Sequence, residues 1–279
     1  MKLVKKFFLK ALSHPFYSRL FGKFTRVKRP RFLAERVIKS YVSMFEIDLS
    51  DVKLPLSEFQ CLSDFFIREL KEGSREIDSS PDIVVSPTDS LILEVSTVSE
   101  EGRVFQIKGS EYSLNSLVKG FVDTSFYKNG TYFQLYLSPR DYHRIHFPFD
   151  CTVKKVFYIP GKLLPVNIFS LENFKEVFSQ NERVLLVLEK DGVEVLAVLV
   201  GAYNVGRIVL SFTDFITNDR FPRKPSPIEI EGYNARKGEE LGMFMMGSTV
   251  LLFFPENTVS PLKESGDYVK MGTPIAKWL

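Results

Sequence analysis

The chain has 279 residues, with 37 Lys and Arg against 34 Asp and Glu, a formal charge of +3. A hydrophobic fraction of 44% beside 25% charged residues excludes a disordered chain, a collagen and a polytopic membrane protein. The small net charge conceals an asymmetry: residues 1–31 carry ten basic side chains and no acidic one, so residues 32–279 hold the other 27 basic groups against all 34 acidic ones, a net −7.

The charge step divides the sequence into a basic arm, 1–31, and an acidic body, 32–279. In the arm, Val4, Phe7, Phe8, Ala11 and Leu12 recur at helical spacing with Lys2, Lys5, Lys6 and Lys10 interleaved. After Pro15 the pattern resumes with Tyr17, Leu20, Phe21 and Phe24 beside Arg19, Lys23 and Arg26. Two short amphipathic helices with aromatic faces and cationic backs suit an anionic bilayer surface. A packed helical hairpin, or nucleic-acid binding by Arg26–Arg31, would use the same residues; the membrane surface is the expectation, with no nucleic-acid partner. Lys5, Lys6 and Lys10 break the apolar stretch that a cleaved secretory signal needs. The longest apolar runs, Val195–Val200 and Val250–Phe254, fall short of the roughly 18 residues of a membrane-spanning helix.

In the body, Ala34, Val37, Ile38, Tyr41, Val42 and Phe45 predict a helix over 32–46. Ser63 before Phe65, Phe66 and Leu70 predicts a shorter helix with Ser63 as its N-cap. Beyond Pro81, short β-branched and aromatic runs predict strands at Ile83–Val85, Leu91–Val95, Val104–Ile107, Tyr132–Leu137, Thr152–Tyr158, Val184–Leu188, Val193–Val200, Arg207–Phe212 and Thr249–Phe254. Helical pattern returns only near 112–119 and 168–179. Helices first and many short strands after make an α+β chain rather than an alternating βαβ one. Arg236–Leu241 and Val269–Ile275 echo each other, each placing a basic residue, a turn glycine and then an aliphatic residue, as barrel-sandwich folds do. Cys61 and Cys151 are far apart in sequence, without the spacing of a disulfide framework or a zinc site.

Two of the three histidines stand together, His143 and His146 in Ser138-Pro-Arg-Asp-Tyr-His-Arg-Ile-His146. On a helical turn they would share a face; on an extended chain they would point apart. HxxH alone supplies two metal ligands without a companion at recognisable spacing, so no metal is expected. Acid–base work is the better use of two imidazoles that titrate near neutrality, beside the plainer reading of two histidines satisfied by backbone. A GxSxG elbow is missing. Gly247-Ser248-Thr249, however, opens an apolar strand, and a serine beside an unhindered glycine carbonyl can attack its own backbone if a base takes its proton.

Several motifs then coincide in order. Phe65-Phe-Ile-Arg-Glu-Leu-Lys-Glu-Gly-Ser-Arg75, Ser86-Pro-Thr-Asp89, Tyr136–His146, and Lys237–Phe244 running into Gly247–Val250 together resemble the phosphatidylserine decarboxylase family, over residues 65–254. The resemblance implies a β-rich, barrel-sandwich-like core preceded by N-terminal amphipathic helices. It implies autocatalytic serinolysis between Gly247 and Ser248 that yields a β chain, 1–247, and an α chain, 248–279. Ser248 would become a pyruvoyl cofactor, which forms a Schiff base with phosphatidylserine and releases CO2 to leave phosphatidylethanolamine. His146 matches the family's base for the cut, Asp89 the carboxylate that orients it, and His143 the histidine assigned to decarboxylation and protonation. The expected setting is peripheral, on the cytoplasmic side of a cell membrane, with phosphatidylserine and the anionic membrane surface as partners; a homodimer stays open. A non-cleaving lipid-binding homologue, or a serine hydrolase using Ser248, His146 and Asp89, are the alternatives. Ser90 replaces the family's usual glycine after the aspartate and Met246 its usual leucine; the second change conserves volume.

Overall fold

The amphipathic spacing of residues 32–46 forms α1, Arg31–Phe45, which buries Ala34 and Ile38. The computed structural model describes residues 31–107, 110–202, 207–217, 224–245 and 248–279. The arm helices expected before residue 31 lie outside them, as do Met246 and Gly247. α1 packs through Val37, Tyr41, Val42 and Phe45 onto Phe59, Phe65 and Phe66, the last two carried by α2, Leu62–Phe66. Here the structure corrects the expected cap: the N-cap is Cys61, without a side-chain cap bond, and Ser63 is buried inside the helix. Turning both phenylalanines into the aromatic cluster starts the helix before Ser63 and ends it at Phe66.

Among the described residues seventeen strands follow: β1 Ile83–Val85, β2 Ser90–Thr97, β3 Arg103–Ile107, β4 Ser110–Ser113, β5 Thr131–Leu137, β6 Arg144–His146, β7 Cys151–Ile159, β8 Arg183–Lys190, β9 Val193–Gly201, β10 Ile208–Leu210, β11 Ser226–Ile228, β12 Tyr233–Ala235, β13 Glu240–Phe244, β14 Ser248–Phe253, β15 Val259–Pro261, β16 Tyr268–Val269 and β17 Pro274–Trp278. Among the described residues three short α-helices, α3 Leu114–Val118, α4 Ile168–Asn173 and α5 Val177–Gln180, and a 3-10 turn at Thr124–Tyr127 interrupt them. The helix expected over 112–119 is shorter because Tyr112 instead pairs with Val104 in the β3–β4 hairpin. The one expected over 168–179 is broken where Glu176 takes a left-handed φ of 51°.

The large sheet runs β11-β7-β8-β9-β14-β5-β2-β16, with β12 also on β7. Its strand pairs are antiparallel. Two three-stranded sheets, β1-β17-β15 and β10-β13-β6, supply Val84, Ile275, Ile208, Leu241 and Ile145 to the core on one face. The other face packs against the β3–β4 hairpin and α3–α5 through Val104, Tyr112, Leu117, Leu171 and Phe178. Successive strand residues point to opposite faces, so β14 sends Val250 and Leu252 into the first core and Leu251 and Phe253 into the second. With both faces covered, its sequence reads as an unbroken apolar run rather than an alternating one. The architecture is thus β-rich α+β, with strand pairing in open paths among the described residues rather than a closed barrel. Among those residues no helix is long and apolar enough to cross a membrane.

Candidate active site

Register brings three strand ends together. Ser248, the first residue of β14, lies opposite Leu137 at the end of β5, and Leu91 of β2 lies opposite Tyr136, so Ser90, Ser138 and Ser248 occupy one end of three adjacent strands. All three hydroxyls are buried without a hydrogen-bond partner among the described residues, and so are Thr88 Oγ1 and His143 Nε2. Buried polar groups are nearly always paired, so this concentration of unpaired ones marks the spot. Ser90 adopts no positive φ and pairs with Val269 in the ladder, so the serine that replaces the usual glycine sits there without backbone strain.

The chain leaving β5 turns through Ser138–Asp141 and re-enters extended structure as β6. The extended alternative for the two histidines is therefore the one realised, and their rings meet different neighbours. His143 is fully buried with its ring centroid 4.0 Å from that of Phe66. Its Nδ1 lies 2.8 Å from the Asp141 carbonyl oxygen; a carbonyl only accepts, so Nδ1 carries the proton and Nε2 a lone pair. Burial pushes its pKa down to about 3, so the ring is neutral. His146 stacks beside Tyr142, ring centroids 5.7 Å apart, and its Nδ1 donates to the Gly238 carbonyl at 2.8 Å. Tyr142 donates its hydroxyl proton to His146 Nε2 at 3.1 Å. Burial lowers the His146 pKa, against the opposing pull of the Gly238 carbonyl.

Asp89 follows the Ser86–Thr88 turn that leaves β1. Its carboxylate accepts two bonds from Arg75, at 2.9 Å from Nε and 2.5 Å from the second terminal nitrogen, and one from the Met271 amide at 2.8 Å. Arg75 also donates to Asp51 at 2.7 Å. Among the described residues no hydrogen bond joins Asp89 to His146 or either group to Ser248. The partner that orients His146 is a backbone carbonyl where a carboxylate was expected, while Asp89 acts on that ring only through its charge, which favours the protonated form.

The two echoed turns explain how these groups are held. Gly238 and Gly272 take φ values of 80° and 89°, a conformation that side chains resist. A Cβ on the first would meet Ile77 Cδ1 at 2.4 Å, and one on the second the Glu76 carbonyl oxygen at 2.3 Å. Both turns therefore close on the same segment, one presenting the Gly238 carbonyl to His146 and the other the Met271 amide to Asp89. The echo located the turns; it carried no sign that each holds one site residue. Arg75 and Tyr142 stand in the recognised motifs, but nothing in their spacing marks them as partners of Asp89 and His146. Cys61 and Cys151 are buried free thiols, and among the described residues no group of three or more His, Cys, Asp or Glu side chains is placed to hold a metal ion.

The sequence profile described as phosphatidylserine decarboxylase matches residues 62–277. A phosphatidylserine decarboxylase proenzyme of Aliivibrio salmonicida is 34% identical over 267 residues, 93% of this chain and 92% of the relative. That of Pseudoalteromonas translucida is 34% identical over 275 residues, covering 96% and 95%, and that of Escherichia coli K12 is 34% identical over 258 residues, covering 89% and 80%. With the profile spanning most of the body, from α2 into β17, this chain belongs to the phosphatidylserine decarboxylase family.

Proposed function

We infer that the chain is a proenzyme that cuts itself before Ser248 and then converts phosphatidylserine to phosphatidylethanolamine and CO2. Family membership and the proenzyme relatives support the activity. The observation that carries the residue assignment is Ser248, a fully buried hydroxyl without a hydrogen-bond partner at the first position of a central strand. Leaving a buried donor unpaired costs about 1–3 kcal/mol, and a nucleophile held ready for its base is a use for that cost.

In the cut, Ser248 Oγ attacks the Gly247 carbonyl carbon and its proton passes to a histidine Nε2. The resulting ester is eliminated across the Cα–Cβ bond of residue 248, releasing 1–247 with a terminal carboxylate; water then displaces ammonia from the dehydroalanine, leaving a pyruvoyl group on 248–279. Ser248 fits that group at its side chain, since the buried hydroxyl that the conversion removes makes no hydrogen bond among the described residues. When present, the pyruvoyl carbonyl supplies the electron sink for decarboxylation.

His146 is the base of choice, as a neutral ring whose Nδ1 proton is fixed by Gly238 and whose charged form Asp89 favours. His143 holds or returns a proton at the substrate α-carbon through its free Nε2. One observation favours a second reading in which His143 serves Ser248: its Nε2 alone is unpartnered, whereas Tyr142 occupies that of His146. Intact-mass analysis of three variants decides. Ser248→Ala and His146→Ala should each stay a single chain of 32.1 kDa, while His143→Ala should cut and then turn over at least tenfold more slowly. Normal cutting by His146→Ala with none by His143→Ala would exchange the two roles, and an uncut wild type from active membranes would overturn the cut altogether. The basic arm and the anionic substrate support a peripheral site on the cytoplasmic side of the membrane.

A further inference from the structure

Beside the histidines lies a cation that no carboxylate among the described residues meets within 4 Å, Asp89 and Asp141 acting on it only through their charge. Arg68 follows α2 and is 4% exposed. One terminal nitrogen donates to the Arg140 carbonyl at 2.8 Å and to the Asp141 carbonyl at 3.0 Å. That second oxygen is the one that also accepts from His143 Nδ1, so guanidinium and imidazole converge on a single atom. Arg68 Nε and the other terminal nitrogen are buried with no partner among the described residues. The side chain lies over the Phe65 ring, 5.1 Å from its centroid, and borders a cavity of about 220 Å³ shared with Arg75, Asp89, Asp141, Tyr268 and Lys270.

The two buried carboxylates in that wall are engaged elsewhere. Asp89 is held by Arg75 and the Met271 amide, and Asp141 accepts from the Tyr268 hydroxyl at 2.8 Å and from the Ser138 amide at 2.6 Å. A guanidinium stays charged in proteins and its N–H groups match the geometry of oxyanions. Buried with carbonyl oxygens as its hydrogen-bond partners and no directly paired carboxylate among the described residues, it is costly unless an anion arrives from outside.

We propose that Arg68 binds the phosphodiester of the lipid headgroup at the cavity wall beside His143. The proposal rests on the lipid-decarboxylase reading and names the subsite that takes the part of the substrate left unreacted. The substrate offers two anions. Its carboxylate loses its charge as CO2 departs, so a cation on it would hold the ground state more tightly than the transition state. Its phosphodiester keeps its charge throughout, and binding it leaves the barrier unchanged. Arg140 and Lys270 also line the wall, more than half exposed and facing Asp141 and Asp51 at 3.8 and 3.9 Å, and Glu46 and Asp48 border the cavity too, so the buried donors of Arg68 rather than a net positive wall mark the anion position.

Processed wild type and Arg68→Lys, with completed self-cleavage as the check on folding, should be titrated at equilibrium with three soluble probes: glycerophosphoethanolamine (phosphodiester without carboxylate), N-acetylserine (carboxylate without phosphate) and inorganic phosphate. Arg68→Lys should weaken glycerophosphoethanolamine at least tenfold and leave N-acetylserine within twofold. In turnover on phosphatidylserine, KM should rise about tenfold with kcat falling less than threefold. A loss confined to N-acetylserine would assign Arg68 to the carboxylate, and one confined to inorganic phosphate would assign it to free phosphate; either overturns the proposal. A fall in kcat with glycerophosphoethanolamine binding intact would make Arg68 a positioning residue for the His143 loop, again against it. Should the wild type bind glycerophosphoethanolamine through Arg68 yet not decarboxylate phosphatidylserine, the activity fails and the phosphodiester site stands.

Discussion

Each histidine at this site has its Nδ1 proton pinned by a carbonyl oxygen, Asp141 for His143 and Gly238 for His146, which leaves Nε2 as the lone-pair nitrogen of each ring, unpartnered on His143 and accepting from Tyr142 on His146. Burial makes the state durable. His143 is held to a pKa of about 3 against an ordinary 6.5, so the unfolded chain takes up a proton as pH falls through 6.5 and the folded chain does not until about 3. Between those values the unfolded state binds more protons, and His143 removes stability progressively as the pH drops through that window, with no effect above it. Replacing it with Phe, which can still pack on Phe66, should therefore narrow the loss of urea midpoint between pH 7 and pH 4.5. An unchanged loss in His143→Phe would mean that the ring is not buried as the neutral form.

At the level of the element, β14 determines what self-cleavage can release. Ser248–Phe253 is buried along its whole length and paired on one side with β5 and on the other with β9. The rest of the 32-residue fragment 248–279 adds β16 to β2 and β17 to β1. Cutting before Ser248 therefore frees a chain end but no surface, and the two products should remain one particle. Native mass spectrometry should find them together and denaturing analysis should separate them; loss of the small chain under native conditions would contradict the sheet order. Leu251→Ala, at a fully buried position in the core shared with α3–α5, should cost about 2–5 kcal/mol and bring forward the denaturant concentration at which the chains part.

Over the whole molecule, ten unopposed positive charges precede a body of net −7. α1, which begins as the arm ends, exposes Phe32 and Leu33 in its first turn, while farther along Tyr41 donates its hydroxyl proton to the Pro139 carbonyl at 2.8 Å. One helix thus connects the basic end to the loop that leads into His143. If the arm is the foothold on an anionic bilayer, deleting residues 2–25 should release the protein from phosphatidylserine-containing vesicles at about 0.15 M salt. The intact chain should bind less well as salt rises, because attraction of Lys and Arg to the surface is screened within a Debye length. Undiminished binding by the truncated chain would return the arm to the packed-hairpin or nucleic-acid readings.

Chemical identity was legible in the amino-acid order because it is local. The run Val250–Phe254 announces a buried strand, His143 and His146 announce acid–base chemistry, and the helix at Arg31–Phe45 follows from a 3.6-residue period. Short-range pattern even located the two glycine turns. It misplaced the Ser63 cap and overextended the helix at 112–119, where packing of Phe65 and pairing of Tyr112 outweighed propensity. Partners are another matter. His146 meets a carbonyl 92 residues away, Asp89 an amide 182 residues away and Arg68 a carbonyl 72 residues away. Such choices depend on which strands become neighbours and in what register, and no periodicity within one segment encodes that. The sequence by itself determined which groups can react; only the tertiary structure decided that Arg75 rather than His146 holds Asp89, and that Arg68 is left with buried donors to offer an anion.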